Sequence, residues 1–309
     1  MKDYETYQID PEWVLETEQL GTKDKFWFKC TDDSCSLFDS AEWLFKYPTE
    51  GTGQHWSEKI AFHLARAMRV FAPQVELAEF AGIQGSATRS FTSANNYELY
   101  HGNQILKGFD PNYDDSMRFG QNDHTIQRIF EALGGIFVDA KSGEDARSKM
   151  AGYLVFDALI CNVDRHHENW GVLRKRNKKG QWEGRFAPSY DHASSLGREL
   201  KDQNSKRNRE RYLKDLGVRK YIEKGHGSVF VDGTGKRGPS PLRLIERCLE
   251  IDGVRPYFLK GLQKLDNLDE ARVEAIIAAV PADWMSELAR EFALALVVEN
   301  LKLLNELRT

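Results

Sequence analysis

Asn162-Val163-Asp164-Arg165-His166-His167-Glu168-Asn169, followed downstream by Ala187-Pro188-Ser189-Tyr190-Asp191-His192-Ala193-Ser194-Ser195-Leu196-Gly197, is the stretch on which the reading of this chain turns. The first block sets ionisable and amide side chains directly after residues 143–161 (GEDARSKMAGYLVFDALIC), whose second half is apolar on every side. A helix apolar all round is packed by neighbours in every direction. The most buried element of the chain therefore delivers a polar loop, and the cost of burying polar groups asks for a reason. The same helix is expected to start at an N-cap, Ser142, with Glu144 and Asp145 in its first turn, where the dipole favours acids.

Three chemistries compete for the loop. It is a plain polar loop if Asn162, Asp164 and Asn169 only cap local backbone. It is a metal site if His166, His167 and Glu168 share an ion, although adjacent histidines lack the i, i+4 spacing that aligns two imidazoles, and no further cysteine or histidine cluster supports them. It is a phosphoryl-transfer loop if Asp164 accepts the proton of an attacking hydroxyl while Asn169 and Asp191 hold Mg²⁺ on the triphosphate of ATP. Residues 170–174 and 182–187 flank the turn Lys178-Lys179-Gly180-Gln181 and read as a hairpin that carries Asp191 back over the same cleft. Arg165 is expected to organise the loop, Asp157 to bond its backbone, and His166 and His167 to be structural or substrate-facing.

Upstream, residues 25–29 (KFWFK), 43–47 (WLFKY) and 87–92 (ATRSFT) are strand-like and suggest an antiparallel sheet. Residues 56–71 place Ile60, Leu64, Ala65, Met68 and Phe71 at helical spacing, so a helix lies on that sheet. Lys46 sits among aromatic and aliphatic neighbours, where an unpaired ammonium is disfavoured. It is the candidate cation for phosphate, with Glu58 as its candidate partner; an exposed strand lysine and a solvated first-turn glutamate are the alternatives. Gly21, Thr22 and Lys23 form the candidate turn over the nucleotide, where backbone N–H groups can cradle phosphate, although neither GxGxxG nor a Walker A motif is present. Beyond residue 100 the pattern is helical: 121–137, 143–161, then 244–249, 273–280 and 285–307.

The 309 residues, 41% hydrophobic and 29% charged, describe a soluble globular protein with room for a sizeable core. No run approaches the roughly 18 apolar residues of a spanning helix. The N-terminus lacks the blocks of a signal peptide, so a cytoplasmic protein is expected, with an effector secreted without a cleavable signal as the alternative. A net charge of −4 argues against duplex DNA as a partner, and no direct nucleic acid binding is expected. Residues 198–220 are the local exception, with nine Lys/Arg against four acids, and read as an exposed basic loop or loop-helix. Cys30, Cys35, Cys161 and Cys248 are too few and too scattered for a disulfide framework and are read as reduced thiols.

Asn162-x-Asp164-x-x-x-x-Asn169 with residues 187–197 resembles the catalytic loop and metal-binding motif of HipA-like kinases, bacterial Ser/Thr kinases that include toxins of toxin–antitoxin systems. Leu44-Phe45-Lys46 with Ser57-Glu58-Lys59-Ile60-Ala61 resembles that family's lysine strand and following helix. Leu99-Tyr100-His101-Gly102-Asn103 resembles the stretch just past its hinge. The resemblance runs from about residue 20 to about residue 249. It implies an α+β, bilobal protein-kinase-like fold, with a small antiparallel-sheet N-lobe over residues 1–98 and a larger, mainly helical C-lobe over 99–309. It further implies ATP and Mg²⁺ between the lobes, Asp164 as catalytic base, Asn169 and Asp191 as metal ligands, Lys46 as the phosphate-binding lysine, a protein Ser/Thr acceptor and an antitoxin partner. Two departures stand out. Some twenty residues before the nucleotide turn make this a short form without the N-terminal subdomain of longer members, and Thr22 is the nearest hydroxyl to the serine that often autophosphorylates there. Asp164-Arg165-His166-x-x-Asn169 also resembles the loop of phosphatidylinositol 3- and 4-kinases, which implies a lipid acceptor; a nucleotide-binding module without turnover is the rival outside enzymes.

Overall fold

Alternation of side chains writes the N-terminal sheet. In β3 (Lys25–Lys29) and β4 (Glu42–Lys46), Phe26, Phe28, Trp43 and Phe45 are buried on one face, and Lys25, Trp27, Leu44 and Lys46 share the other. Successive strand residues point to opposite faces, so burying the aromatic set aims Lys46 away from it. The buried set is a core of its own, with the Phe26 and Phe45 rings 5.1 Å apart and Ile9, Ala78 and Ala87 beside them. The computed structural model describes residues 2–17, 25–31, 41–93 and 96–308.

With β1 (Thr6–Gln8), β2 (Val14–Thr17), β5 (Val75–Phe80) and β6 (Ile83–Arg89), these strands form a six-stranded sheet ordered β1-β5-β6-β4-β3-β2. Every pairing is antiparallel except β1 with β5, which is parallel. Helix α1 (Gln54–Ala67) packs on β5 and β6. The chain start also reaches the far lobe: the backbone N–H of Tyr4 donates to the Ala279 carbonyl at 2.6 Å and its hydroxyl to the Ile276 carbonyl at 2.9 Å.

The larger, helical part opens with β7 (Glu98–His101), which joins β8 (Gly171–Arg176) and β9 (Trp182–Phe186) in a three-stranded antiparallel sheet. Between β7 and β8 run α2 (Gly102–Phe109), α3 (Ile126–Gly135) and α4 (Ala140–Ile160). Every residue from 150 to 160 is buried, as the all-apolar pattern predicts. Around α4 pack α3, α7 (Pro241–Leu249), α8 (Arg255–Leu262) and α10 (Glu287–Glu306), while α9 (Glu270–Ala278) packs on α10 and α1. Two short helices, α5 (Arg209–Arg211) and α6 (Val218–Lys224), flank a π-helical turn at Tyr212–Leu216. Among the described residues no helix is long and apolar enough to cross a membrane.

The structure corrects several expectations. Asp139, not Ser142, caps α4: its carboxylate accepts from the Ser142 N–H at 2.8 Å, and the helix begins three residues earlier. The third strand ends at Arg89 rather than at residue 92. The basic segment 198–220 is not simply exposed: Asn208, Arg209 and Tyr212 are buried, and the Tyr212 ring lies against Phe292 of α10. Cys161 and Cys248 are free and buried, but Cys30 is disulfide-bonded, so the chain does not carry four plain thiols.

Candidate active site

The loop is built from the end of α4 outward. At the C-cap, Cys161 takes a left-handed conformation (φ 56°), which an L-residue with a side chain adopts at a cost. The turn is held because Asn162 donates its backbone N–H to the Asp157 carbonyl and its side-chain amide to the Asp157 carboxylate, both at 2.8 Å. Asn300 of α10 caps the Leu159 carbonyl at 3.0 Å. Arg165 then locks the site. Its Nε and Nη2 grip the two Asp157 oxygens at 2.8 Å each. Its Nη1 donates to the carbonyls of Asn169 (2.7 Å) and Tyr190 (3.1 Å), and Nη2 also donates to the Ser189 hydroxyl at 3.0 Å. One planar guanidinium thus ties the central helix, the loop and the segment bearing Asp191. Burial opposes its charge, yet the Asp157 carboxylate outweighs that and raises its pKa. The expectation for Asp157 is thereby adjusted: it accepts from side chains through its carboxylate, and its carbonyl serves the loop backbone.

Lys46 meets two carboxylates across the cleft. Its Nζ lies 3.4 Å from Asp191 Oδ1 and 3.7 Å from Glu58 Oε1. Burial works against the ammonium, but Asp191 and then Glu58 more than compensate, and its pKa rises. Asp191 has φ 59°, a second left-handed residue without glycine at this site. Glu58 is buried and also accepts from the His192 N–H at 3.1 Å. Beside it, Ser57 lies 2.8 Å from the Ser195 hydroxyl, donates to the Ser195 carbonyl at 3.1 Å, and follows Gly53, whose N–H donates to the Arg198 carbonyl at 2.9 Å. The start of α1 is therefore docked on residues 192–198 by polar contacts.

Asp164 and Asn169 face the same cleft. The Asn169 amide nitrogen donates to the Asp164 carbonyl at 2.7 Å, which leaves its Oδ1 as an acceptor. The Asp164 carboxylate accepts from the Ser194 hydroxyl at 3.3 Å, and that hydroxyl receives a bond from Arg198 Nη2 at 3.3 Å. Gly102 and Asn103, opening α2, donate their N–H groups to the carbonyls of Trp170 (2.8 Å) and His167 (2.9 Å). A side chain at Gly102 would collide with the Trp170 ring, so the approach of hinge to loop requires glycine there.

The cleft between the lobes has a volume of about 1460 Å³. Lys46, Asp164, Asn169 and Asp191 all line it, and Glu58 sits behind Lys46. Leu44, Thr88 and Leu99 line its inner wall with Phe91, whose ring stacks on Tyr190 at 5.5 Å. Gly21, Thr22 and Lys23 lie outside the described residues. The metal reading of the histidines is not supported. His166 accepts from Arg118 Nε at 3.0 Å, His167 is 2.8 Å from the Tyr113 hydroxyl, and among the described residues no group of three or more His, Cys, Asp or Glu could hold an ion. Burial, aided by Arg118, holds His166 down to about 3, so it is a neutral packing group. The oxygen donors Asn169 and Asp191 do suit Mg²⁺, which takes few protein ligands and completes its shell with phosphate and water. Ser57, Ser189, Tyr190, His192, Ser194 and Ser195 lie in the stretches that sequence reasoning singled out, but it gave none of them a part in building the site.

Two lobes around a cleft, with a lysine tied to a helix glutamate and an aspartate opposite the loop, define a kinase-like protein. The chain belongs to the family of the HipA-like C-terminal domain, whose model matches residues 20–231. Its fold is similar to that of the Helicobacter pylori proinflammatory kinase CtkA, at 18% identity over 92% of each chain with a TM-score of 0.73. It is also similar to HipA of the Shewanella oneidensis MR-1 toxin–antitoxin system, solved with HipB and operator DNA, at 14% identity over 97% of this chain and 68% of that one, TM-score 0.60. No curated protein matches this chain.

Proposed function

We propose that this chain is a Mg²⁺- and ATP-dependent protein Ser/Thr kinase of the HipA-like type. The observation that carries the reading is the contact of Lys46 with both Glu58 and Asp191 in the cleft that Asp164 lines. Glu58 fixes Lys46, and Lys46 neutralises phosphate charge. Asp164 orients the acceptor hydroxyl and takes its proton, a role worth on the order of 10²- to 10⁴-fold in rate. Asn169 and Asp191 are the residues that would hold the magnesium ion, through oxygen. When bound, that ion supplies charge neutralisation on the transferring phosphoryl group. With nucleotide and ion bound, Lys46 would face phosphate oxygens and Asp191 the cation.

The Shewanella relative comes from a toxin–antitoxin system and was solved together with HipB, which supports reading this chain as a toxin restrained by an antitoxin protein. The decisive experiment follows γ-phosphate from labelled ATP, with Mg²⁺, into a cell lysate and into the protein itself. Wild type labels protein bands that Asp164→Ala and Asp191→Ala both lose. Label in a lipid extract instead, or none in either fraction, overturns the proposal.

A further inference from the structure

The cleft does not end at Asp164. It continues past Ser194 along a wall made by the segment 198–226, and that wall includes Arg198, Arg207, Lys224 and Tyr221. The charges of this segment are already sorted. Asp202 is paired with Arg209 at 2.7 Å, Glu210 with Lys214 at 2.8 Å, Asp215 with Arg211 at 4.0 Å and Glu223 with Arg219 at 3.2 Å. Glu199, the one acid on the same wall, accepts from the Tyr221 hydroxyl at 2.8 Å. Arg198, Arg207 and Lys224 have no carboxylate within ion-pair distance among the described residues, and all three line the cleft. Arg198 is joined to the base by two hydrogen bonds of 3.3 Å through Ser194. Leu213, Leu216 and Ile222 of the segment pack inward against the helical core, and Leu200, Tyr212 and Tyr221 line the cleft beside the cations.

We infer that this wall is an acceptor subsite for anionic side chains. The substrate class it fits is a protein segment whose target serine or threonine is flanked by acidic or already phosphorylated residues. Three cations gathered on one wall of a cleft favour an anion more than the same charges scattered over the surface do. Arg198 adds a geometric requirement, because a guanidinium held by Ser194 reads an anion next to the acceptor hydroxyl rather than one far along the peptide. The inward packing of Leu213 and Leu216 disfavours a membrane-borne acceptor, which would draw on exposed apolar anchors. This inference rests on the kinase reading for its chemistry, but the subsite itself is a binding property.

Two measurements separate the two. In the first, fluorescent serine peptides with acidic, phosphoserine, neutral or basic flanks are titrated into the full-length protein without ATP. The acidic and phosphorylated peptides are expected to bind about two- to fivefold tighter than the neutral one for each charged contact made, with the preference falling as salt rises. Arg207→Glu with Lys224→Glu, both exposed positions, reverses the order in favour of the basic peptide. In the second, labelled phosphate transfer to the same peptides follows that order through KM rather than kcat. Equal binding of all flanks, a preference for basic flanks, or an order untouched by the charge reversal overturns the subsite. Selective binding without any transfer leaves the subsite standing and overturns the kinase proposal. Binding of phosphatidylinositol phosphate vesicles in preference to every peptide assigns the wall to lipid and overturns the protein acceptor.

Discussion

Replacing Arg165 by methionine tests the lock at the centre of the site. Arg165 is 2% exposed, and its guanidinium makes five hydrogen bonds, two of them to the carboxylate of Asp157, which is itself 2% exposed. Summing five bonds would overcount, because water competes for each group in the unfolded chain. The better measure is the cost of leaving a buried charge without its partner, about 3–5 kcal/mol. For a chain of this length that corresponds to a fall in melting temperature of about 5–8 °C if unfolding is two-state. The paired variant Arg165→Met/Asp157→Leu removes the stranded charge, so urea unfolding should return much of the lost stability. Phosphoryl transfer should not return with it, since the carbonyls of Asn169 and Tyr190 still lack their shared donor. A double variant no more stable than the single one, or one that recovers transfer, refutes the account of Arg165 as the element that positions both metal-ligand candidates.

Three more outcomes follow from the geometry. His124 and His166 are almost fully buried, and burial holds both down to about 3. The unfolded chain therefore binds more protons between pH 6.5 and 3, and stability falls as pH drops through that window, by about 2 kcal/mol per histidine at pH 5; denaturant midpoints unchanged between pH 7 and 5 contradict this. ATP with Mg²⁺ should raise the melting temperature more than ATP alone, with about 2.7 kcal/mol of stabilisation at a hundredfold excess over Kd. In Asp191→Asn the metal-dependent part should vanish, and a shift independent of the ion argues against Asn169 and Asp191 as its ligands. Ser57→Ala removes the hydroxyl between α1 and Ser195, at a cost of about 1–3 kcal/mol. Its transfer rate should fall with it, because Glu58 rides on the same turn; full activity in a destabilised variant would show that α1 docking is structural only.

Local pattern was enough where a whole element obeys one period. The strand 25–29 has the bounds its alternation predicts, and α4 is as buried as its apolar run requires. Lys46 stood out among aromatic and aliphatic neighbours, Asp164 at the end of an apolar helix, and Asn169 and Asp191 by their spacing from it and by the family resemblance; all four line one cleft. The start of α4 was misplaced because its first turn, Ala-Lys-Ser-Gly, is polar and carries no period. Strands β1 and β2 are three and four residues long, too short for alternation to register. The burial of Arg209 depends on Asp202 and on the Gly197 carbonyl, and that of Tyr212 on the rings of Tyr221 and Phe292. Contacts of that kind come from the folded chain and leave no mark in a window of neighbouring residues.

Tyr4 gives the molecule a chronology. It precedes every residue of the cleft in the chain, yet its hydroxyl is bonded to a carbonyl 272 positions further on, and its N–H to one three residues later still. The small sheet can assemble early from local pairings, but its edge strand is pinned to the other lobe only after α9 has been made. Contacts of such long sequence separation form late because they close the largest loops. The two walls of the cleft are therefore strapped together only once α9 is in place, and a chain in which that contact has not formed presents Lys46 and the loop bearing Asp164 without this clasp.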